Sequence, residues 1–201
     1  VYRWLKMHSH LFDRGSPSLP NVYQRALGIV RKKPFLFGFI VDEIAKVRGG
    51  VIGNLFLRAL TQGDGETQAL EEFQATDPLR FIGDCLAWIH QCTATETTIL
   101  GPILFEDENN QGQKKALGQA FDSVVRPLKT RVLQTVDKLV KAPDAFQAAN
   151  ICAFFRATFS EVCGLTSTLV QCLGDLQKSA EMAFRKIISE SIESLGSNTK
   201  P

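Results

Sequence analysis

Three histidines are the first residues to consider for metal chemistry, and their spacing argues against it. His8 and His10 lie two residues apart on an expected helix, so their side chains should point to nearly opposite faces. A zinc site needs ligands that converge on one point. His90 has no clear ligand neighbour in the sequence, and we interpret it as a structural residue. We therefore expect no metal site.

An acidic, amide-rich segment imitates the first half of a calcium-binding loop through Asp107, Asn109, Gln111 and Gly112. Such a loop needs a bidentate carboxylate at its twelfth position, which here falls on Gly118, a residue with no side-chain oxygen. The glycine motifs that cradle phosphates, expose a nucleophilic serine or bind dinucleotides are also missing from the sequence. We therefore expect no cofactor and no catalytic residue, and we interpret 106–112 as an exposed turn.

The remaining carboxylates and thiols are dispersed along helical patterns. Carboxylates such as Asp84 and Glu96 more often belong to a solvated face or a charge pair than to acid–base catalysis. The cysteines number five, an odd count without a Cys-x-x-Cys motif, which argues against a secreted disulfide framework and against a zinc cluster. Because free cysteine behaves as a small hydrophobe, we predict reduced, buried thiols. They are Cys85, Cys92, Cys152, Cys163 and Cys172.

Composition indicates a folded chain without a strong electrostatic bias. Its 201 residues, 44% of them hydrophobic, can bury a substantial core, and the formal charge of +2 gives no large field for gripping nucleic acid or an anionic bilayer. Basic residues cluster at 31–33 and 126–131, where we favour a solvated surface over a phospholipid or nucleic-acid site, although either cluster could meet an acidic partner. Charge interrupts the apolar runs well before the roughly 20 residues that span a bilayer, so we expect a cytosolic chain without membrane insertion.

The stretch from Asp77 to Cys92, DPLRFIGDCLAWIHQC, gives the clearest helical pattern in the chain. Asp77 suits the N-cap and Pro78 the first helical position, since proline lacks an amide hydrogen that the first turn could not bond anyway. Apolar residues recur at spacings of three, four and three and widen onto an adjoining flank, so this helix should be covered on more than one side. The stripe is Leu79, Ile82, Leu86 and Ile89, and the flank is Phe81, Cys85, Trp88 and Cys92.

Helical periodicity extends through nearly the whole chain, and no segment alternates convincingly with period two. The run 35–41 also fits a buried strand, but the helical spacing that continues to Leu60 favours a helix. Breaker-rich or polar links are expected at 15–20 and 61–76. We further expect a bend or a close helix contact at Gly49 and Gly50. The expected helices are 1–12, 22–33, 35–60, 114–141 with a kink at Pro127, 143–164, and a last one that ends at Gly196 with Leu195 on its inner side.

Long amphipathic helices with short links bury their stripes against one another. We therefore predict an all-α fold, most simply an elongated antiparallel helical bundle or several stacked bundles. The expected division is 1–76, whose helices continue from a missing upstream part, and 77–201, a central bundle, with one continuous rod as the alternative. The start at Val1, within an expected helix, indicates an excised fragment.

The helix from Asp77 resembles a family of helical-rod vesicle tethers, the sixth subunits of the conserved oligomeric Golgi complex. In that family the helix reads roughly Asp-Pro-Leu-Arg-aromatic-aliphatic-Gly-Asp-x-Leu-Ala-Trp-aliphatic-His-Gln, and residues 77–91 fit throughout. The likeness continues over 34–63 and over 124–136, which reads VVRPLKTRVLQTV, and Tyr2, Arg3 and Trp4 fit an upstream element. The weakest match lies at 48–50, where the family would carry more arginine and less glycine, so a contact made there by relatives could be missing.

The resemblance implies a non-enzymatic subunit fragment at the cytosolic face of the Golgi membrane, acting in retrograde intra-Golgi transport. It implies sister subunits, Golgi SNAREs and vesicle factors as partners, with no nucleic acid. A scaffold subunit of a related exocyst-like tether is the alternative, and a helical-bundle enzyme would need convergent carboxylates or histidines. The family-signature residues, expected to be structural, are Asp77, Pro78, Leu79, Arg80, Asp84, Trp88, His90, Arg126, Pro127, Leu128 and Lys129.

Overall fold

The computed structural model describes residues 1–13, 20–63, 68–104 and 111–197, and these ranges contain helices and turns but no strand. The α-helices are α1 (Tyr2–Met7), α2 (Asn21–Arg31), α3 (Pro34–Thr61), α4 (Phe73–Thr76), α5 (Pro78–Leu104), α6 (Gln111–Ala120), α7 (Asp122–Val136), α8 (Ala142–Cys163) and α9 (Thr168–Ser197). Short 3-10 helices occupy Ser9–Phe12 and Leu70–Glu72. The all-α prediction is confirmed.

Some expected features fall outside the described residues. These are the link at 15–19, the tip of the link at 64–67, and Asp107 and Asn109 of the calcium-like segment. Gln111, from the same segment, is the first residue of α6 rather than part of a turn. Within the expected link 61–76, residues 70–76 form a 3-10 helix that runs into α4.

Helix boundaries follow local chemistry where the sequence marks them clearly. The backbone amide of Arg80 donates to the Asp77 carboxylate at 3.1 Å, so Asp77 caps α5 and Pro78 begins it, as predicted. Pro34 begins α3 in the same way. At Gly164 the backbone turns to a φ of +81°, a conformation that costs glycine little, and α8 ends there as expected.

The helices share one apolar core. Residues of the α5 stripe and flank, including Phe81, Ile82 and Leu86, are completely buried, so α5 is covered on more than one side as predicted. An apolar stripe along α6 and α7 is buried too, with Leu117, Phe121 and Leu128 among its members. Core residues come from both the 1–76 and the 77–201 segments, and the division between them remains a prediction.

Two glycines let α3 approach the junction of α6 and α7 closely. A Cβ atom placed on Gly49 would lie 3.2 Å from the Ala120 carbonyl oxygen, and one on Gly53 would lie 2.9 Å from the Ser123 hydroxyl. The Ser123 hydroxyl donates to the Gly49 carbonyl at 2.6 Å, which pins the crossing. The close helix contact expected near position 49 is therefore present, whereas a Cβ on Gly50 would meet nothing within 4 Å.

The expectation of a single helix over 114–141 is wrong, because the chain turns at Phe121 between α6 and α7 and the second helix ends at Val136. The two halves have different tertiary partners. A Cβ atom placed on Gly118 of α6 would lie 3.1 Å from the Cys163 carbonyl oxygen of α8, so the two helices are in close contact there. Lys129 of α7 instead pairs with Asp175 of α9. The Phe121 ring is completely buried at the break between the two helices.

The end of α9 also differs from expectation. The helix continues past Gly196 to Ser197, and Leu195 is 68% exposed rather than turned inward. A single glycine costs a helix only about 1 kcal/mol, which is too little to stop it where the preceding turns are well formed. At its C-terminal end, α5 runs through Pro102 and ends at Leu104.

Candidate functional site

The start of α5 holds several signature residues that support one another. Asp77 caps the helix, and the Arg80 guanidinium lies 4.1 Å above the Phe73 ring of α4 while pairing with Asp84 at 3.3 Å. Pro78 and Leu79 are half-buried beneath this exposed group. These contacts fix the angle between α4 and α5, and they present no reactive group.

Farther along α5, Trp88 and His90 contact two different neighbours. The half-buried Trp88 ring lies 5.3 Å from the Phe56 ring of α3. The exposed His90 ring lies 6.4 Å from Phe155 and 6.2 Å from Phe159, both on α8. The two aromatic contacts therefore connect α5 to helices on both sides of it.

The second group of signature residues lies on α7. Leu128 is completely buried, Pro127 is half-buried inside the helix, and Arg126 is exposed. Lys129 donates to Asp175 at 2.7 Å, and this hydrogen bond raises the pKa of Lys129 and lowers that of Asp175. Arg126 and Lys129 line a shallow cleft between α7 and the start of α9, away from the cleft that Trp88 lines.

Sequence reasoning missed the most buried charged pair in the described part of the chain. Arg48 of α3 and Glu96 of α5 are 3% and 1% exposed, and Arg48 Nε donates to the carboxylate at 2.8 Å while a second guanidinium nitrogen donates to its other oxygen. The remaining terminal nitrogen donates to the Phe12 carbonyl at 2.6 Å. Of the roles considered for Glu96, the charge pair is the correct one.

A positional signal for this pair did exist. Arg48 lies four residues after Ile44 and four before Ile52, both buried on α3, so it occupies the inward stripe of its helix. Glu96 likewise follows Ile89 by seven residues on α5. A charged residue at a core position requires a partner, and this rule could have marked both residues although not their pairing.

An open cleft of about 490 Å³ adjoins the ion pair. Trp88 and Leu55 form part of its wall, and the charged pair forms part of its floor. The nearby Cys92 thiol has its pKa raised to about 12, mainly by burial and also by the Glu96 carboxylate, so it is protonated at neutral pH. Cys92 is therefore not an activated nucleophile in this cleft.

The histidines near the N-terminus do not point to opposite faces, so that expectation is wrong. Helix α1 ends at Met7, and the 3-10 turn that follows brings the His8 and His10 rings within 5.8 Å of each other. His8 instead stacks on Trp4 at 4.3 Å, and one ring nitrogen lies 2.8 Å from the Trp4 carbonyl. Among the residues the structure describes, no three histidine, cysteine, aspartate or glutamate side chains are grouped to hold a metal ion.

The five cysteines are unpaired; Cys92 is half-buried and the other four are buried, close to the prediction of reduced, buried thiols. Within the described ranges, no helix combines the length and apolar character that crossing a bilayer requires.

A wider surface feature lies where α9 passes the link between α7 and α8. Here an open cleft of about 750 Å³ is lined by apolar and polar residues of both segments. Val140 on one wall is 80% exposed and Met182 on the other is 68% exposed. Farther along α9, Ile188 and Ile192 are exposed too, but they do not line this cleft. Large exposed apolar groups along a helix are typical of a surface that another helix covers.

Comparison with known proteins gives one consistent family. A family model described as conserved oligomeric Golgi complex subunit 6, C-terminal, matches residues 1–201. The curated relatives that match carry the same subunit name. The relative from Drosophila melanogaster is 31% identical over 201 residues, which cover 97% of this chain and 31% of the relative. The human relative is 30% identical, over a match that covers 84% of this chain and 26% of the relative. The Phaeosphaeria nodorum relative is 26% identical, over a match that covers 92% of this chain and 31% of the relative.

The chain thus spans about a third of the length of the curated relatives it matches. No solved structure matches it significantly.

Proposed function

The chain belongs to the family of the C-terminal part of conserved oligomeric Golgi complex subunit 6, and from this membership we propose that it is part of a non-enzymatic subunit of a Golgi vesicle-tethering complex. In this proposal the whole protein acts in retrograde intra-Golgi transport at the cytosolic face of the Golgi membrane. It binds sister subunits directly, and it meets Golgi SNAREs and vesicle factors as the complex captures its cargo.

The observation that carries the proposal is the exposed apolar surface of α9 beside the α7–α8 link. A sister-subunit helix laid into this cleft would cover Val140 and Met182, which are otherwise surrounded by solvent. Burying apolar surface contributes about 25 cal/mol per Å², so two large side chains add substantially to association. Lys186 and Glu190 on the cleft wall would set the orientation of the incoming helix through charge.

A structural rather than chemical role agrees with how the chain uses its polar groups. Arg48 and Glu96 direct their hydrogen bonds to each other and to a backbone carbonyl. The signature residues Asp77, Arg80 and Asp84 hold the start of α5, and we propose that the signature as a whole is structural. Burial keeps the thiols protonated, as the raised pKa of Cys85, about 12, illustrates.

Mechanistically, we propose that the helices act as a spacer that holds several weak partners at fixed distances. Once one partner is bound, the next binds from a high effective concentration, so the complex holds a vesicle without any single tight contact. This mechanism needs stiffness, and the close α3 crossing at Gly49 and the α5 contacts on both sides supply it.

The test is copurification of the full-length protein with its sister subunits. Met182→Glu combined with Val140→Glu should reduce capture at least about tenfold, because it places two charges in an apolar contact. Leu165→Glu is the matched control, since Leu165 is 76% exposed at the α8–α9 turn, and it should bind as the unaltered protein does. Equal capture by all three would refute α9 as the contact, and failure of the unaltered protein to capture any sister subunit would refute the proposed function.

A further inference from the structure

The hairpin of α2 and α3 carries an unusual combination of charge and exposed aromatic surface. Between Pro20 and Val41 the sequence contains four basic residues and no acidic one. The two-residue link between the helices is Lys32 and Lys33, both exposed, and directly after it Phe35 is 76% exposed. The overall charge of +2 hides this local concentration of positive charge.

The exposed aromatic surface of the hairpin consists of two rings that contact each other. The Phe35 ring meets the Phe39 ring edge to face, with centroids 4.8 Å apart, and Phe39 is 47% exposed. Leu36, one residue after Phe35, is 37% exposed. Because the contact already restricts the rotation of both rings, burying them in an apolar medium costs little further side-chain entropy.

The outer face of α2 also combines exposed basic and apolar side chains. Val22, Arg25, Ile29 and Lys32 recur at spacings of three, four and three, which places them on one side of the helix, and all four are exposed. The opposite side is anchored in the core through Tyr23, Leu27 and Val30. The exposed face therefore alternates apolar and basic side chains over the full length of the helix.

No carboxylate lies between Pro20 and Val41 to offset these cations. The first two that follow, both on α3, have partners of their own. Asp42 pairs with Lys115 at 3.3 Å, and Glu43 lies 3.9 Å from Lys6. The end of the hairpin thus presents positive charge around a protruding aromatic pair.

We propose that the end of the α2–α3 hairpin docks onto the surface of an anionic lipid bilayer. In this arrangement Lys32, Lys33 and Arg25 lie at the level of the lipid phosphates, and the Phe35 and Phe39 rings enter the headgroup region beneath them. The contact is interfacial and differs from a spanning helix. Charge complementarity selects a bilayer as the occupant, because the three exposed cations Arg25, Lys32 and Lys33 fit a continuous anionic surface, and the exposed rings lie at the end of a hairpin instead of lining a groove.

The proposal deepens the proposed location at the Golgi membrane, but it depends on the hairpin surface and not on any tethering partner. From the sequence, we expected a solvated surface at 31–33 on the basis of its charge alone. The exposed rings beside that charge are what change the interpretation.

The test is cosedimentation of the full-length protein with phosphatidylcholine vesicles that either contain or lack phosphatidylserine. The unaltered protein should bind the anionic vesicles preferentially. Lys32→Glu with Lys33→Glu should lower the partition coefficient by about 20-fold or more, since each basic residue near such a surface contributes about fivefold. Phe35→Ser should lower it by about fivefold through lost burial of the ring.

Two matched controls separate the hairpin from general surface effects. Phe154→Ser removes a 66% exposed ring that also meets a neighbouring phenylalanine edge to face, and Lys138→Glu with Lys141→Glu reverses two exposed lysines on the α7–α8 link. Both controls should bind vesicles as the unaltered protein does. No preference for anionic vesicles, or equal losses in the controls and the hairpin variants, would overturn the proposal.

The same variants distinguish this proposal from the proposed function. Hairpin variants that lose vesicle binding but still capture sister subunits support both. Hairpin variants that lose sister subunits while vesicle binding is unchanged show that a protein covers the hairpin, and they overturn the bilayer as its occupant.

Discussion

Arg48 on α3 and Glu96 on α5 form a buried ion pair in which both guanidinium contacts reach the same carboxylate. The third guanidinium hydrogen bond goes to the Phe12 carbonyl, so one arginine joins three segments that are distant in sequence. Burying two charges is costly, and the cost is offset only when their hydrogen bonds are satisfied with good geometry. Here both partners meet that condition, so the pair fixes how α3 and α5 are aligned.

Removing one member of this pair should destabilise the protein strongly. Arg48→Met leaves an uncompensated carboxylate in the core, and we expect a loss of about 3 to 5 kcal/mol in the free energy of unfolding. Chemical denaturation followed by circular dichroism measures this loss.

The double variant Arg48→Met with Glu96→Leu should recover most of the loss, because no unpaired charge remains. Lys115→Met, which breaks an exposed pair with Asp42, should cost less than about 1 kcal/mol. Equal effects of Arg48→Met and Lys115→Met would contradict this account.

The adjacent glycines Gly49 and Gly50 should respond in opposite directions to alanine. At Gly49 the new methyl group would press on the Ala120 carbonyl oxygen at 3.2 Å, so we expect a loss of about 1 to 3 kcal/mol. At Gly50 the methyl group meets open space, and the higher helix propensity of alanine should add up to about 1 kcal/mol. Thermal melting of both variants provides the comparison. A stabilised Gly49→Ala variant would mean that α3 and the α6–α7 junction do not cross this closely.

The helical fold was predictable because apolar spacing is a local property of the chain. The stripe through Ile82, Leu86 and Ile89 and the cap at Asp77 are both visible in the sequence, and the structure contains them. The break at Phe121 was not predictable in this way. It depends on where Gly118 and Lys129 find their partners in α8 and α9, and those contacts join residues that are far apart in the sequence.

The candidate site was less predictable than the fold for a related reason. Arg48 and Glu96 lie 48 residues apart, so the sequence can mark each as a charge at a core position without showing that the two pair with each other. Phe35 and Phe39 were assigned to a mainly apolar run, and periodicity alone cannot say that the start of α3 lies beyond the cover of the neighbouring helices. Burial is decided by tertiary packing, so the exposed rings could be recognised only from the folded chain.

Trp88 and Phe56 should differ in their contributions to stability although their rings touch. Phe56 is completely buried, so Phe56→Ala should cost about 3 to 5 kcal/mol. From the sequence we expect the same cost for Trp88→Ala, but the ring is half-buried beside an open cleft, and this lowers our expectation to about 2 kcal/mol. Urea denaturation of the two variants tests the order. A larger loss for Trp88→Ala would show that another segment covers this cleft in solution.

The buried thiols should be protected from reaction, and they should make stability depend on alkaline pH. Burial raises the pKa of Cys85 from 9.0 to about 12, so near pH 8 its thiolate, the reactive form, should be at least about 100-fold scarcer in the folded than in the unfolded state.

Because the folded state of Cys85 holds its proton more tightly, this contribution to stability is fully present below pH 9 and is lost as the pH rises from 9 towards 12. Ellman's reagent, applied to native and urea-unfolded protein at pH 8, measures the protection, and unfolding titrations at pH 7 and pH 10 measure the linkage. The half-buried Cys92 is the internal comparison, since its pKa is raised to the same value while its side chain is partly accessible. If Cys85 reacts at the unfolded rate in native protein, α5 opens far more readily than its packed stripe implies.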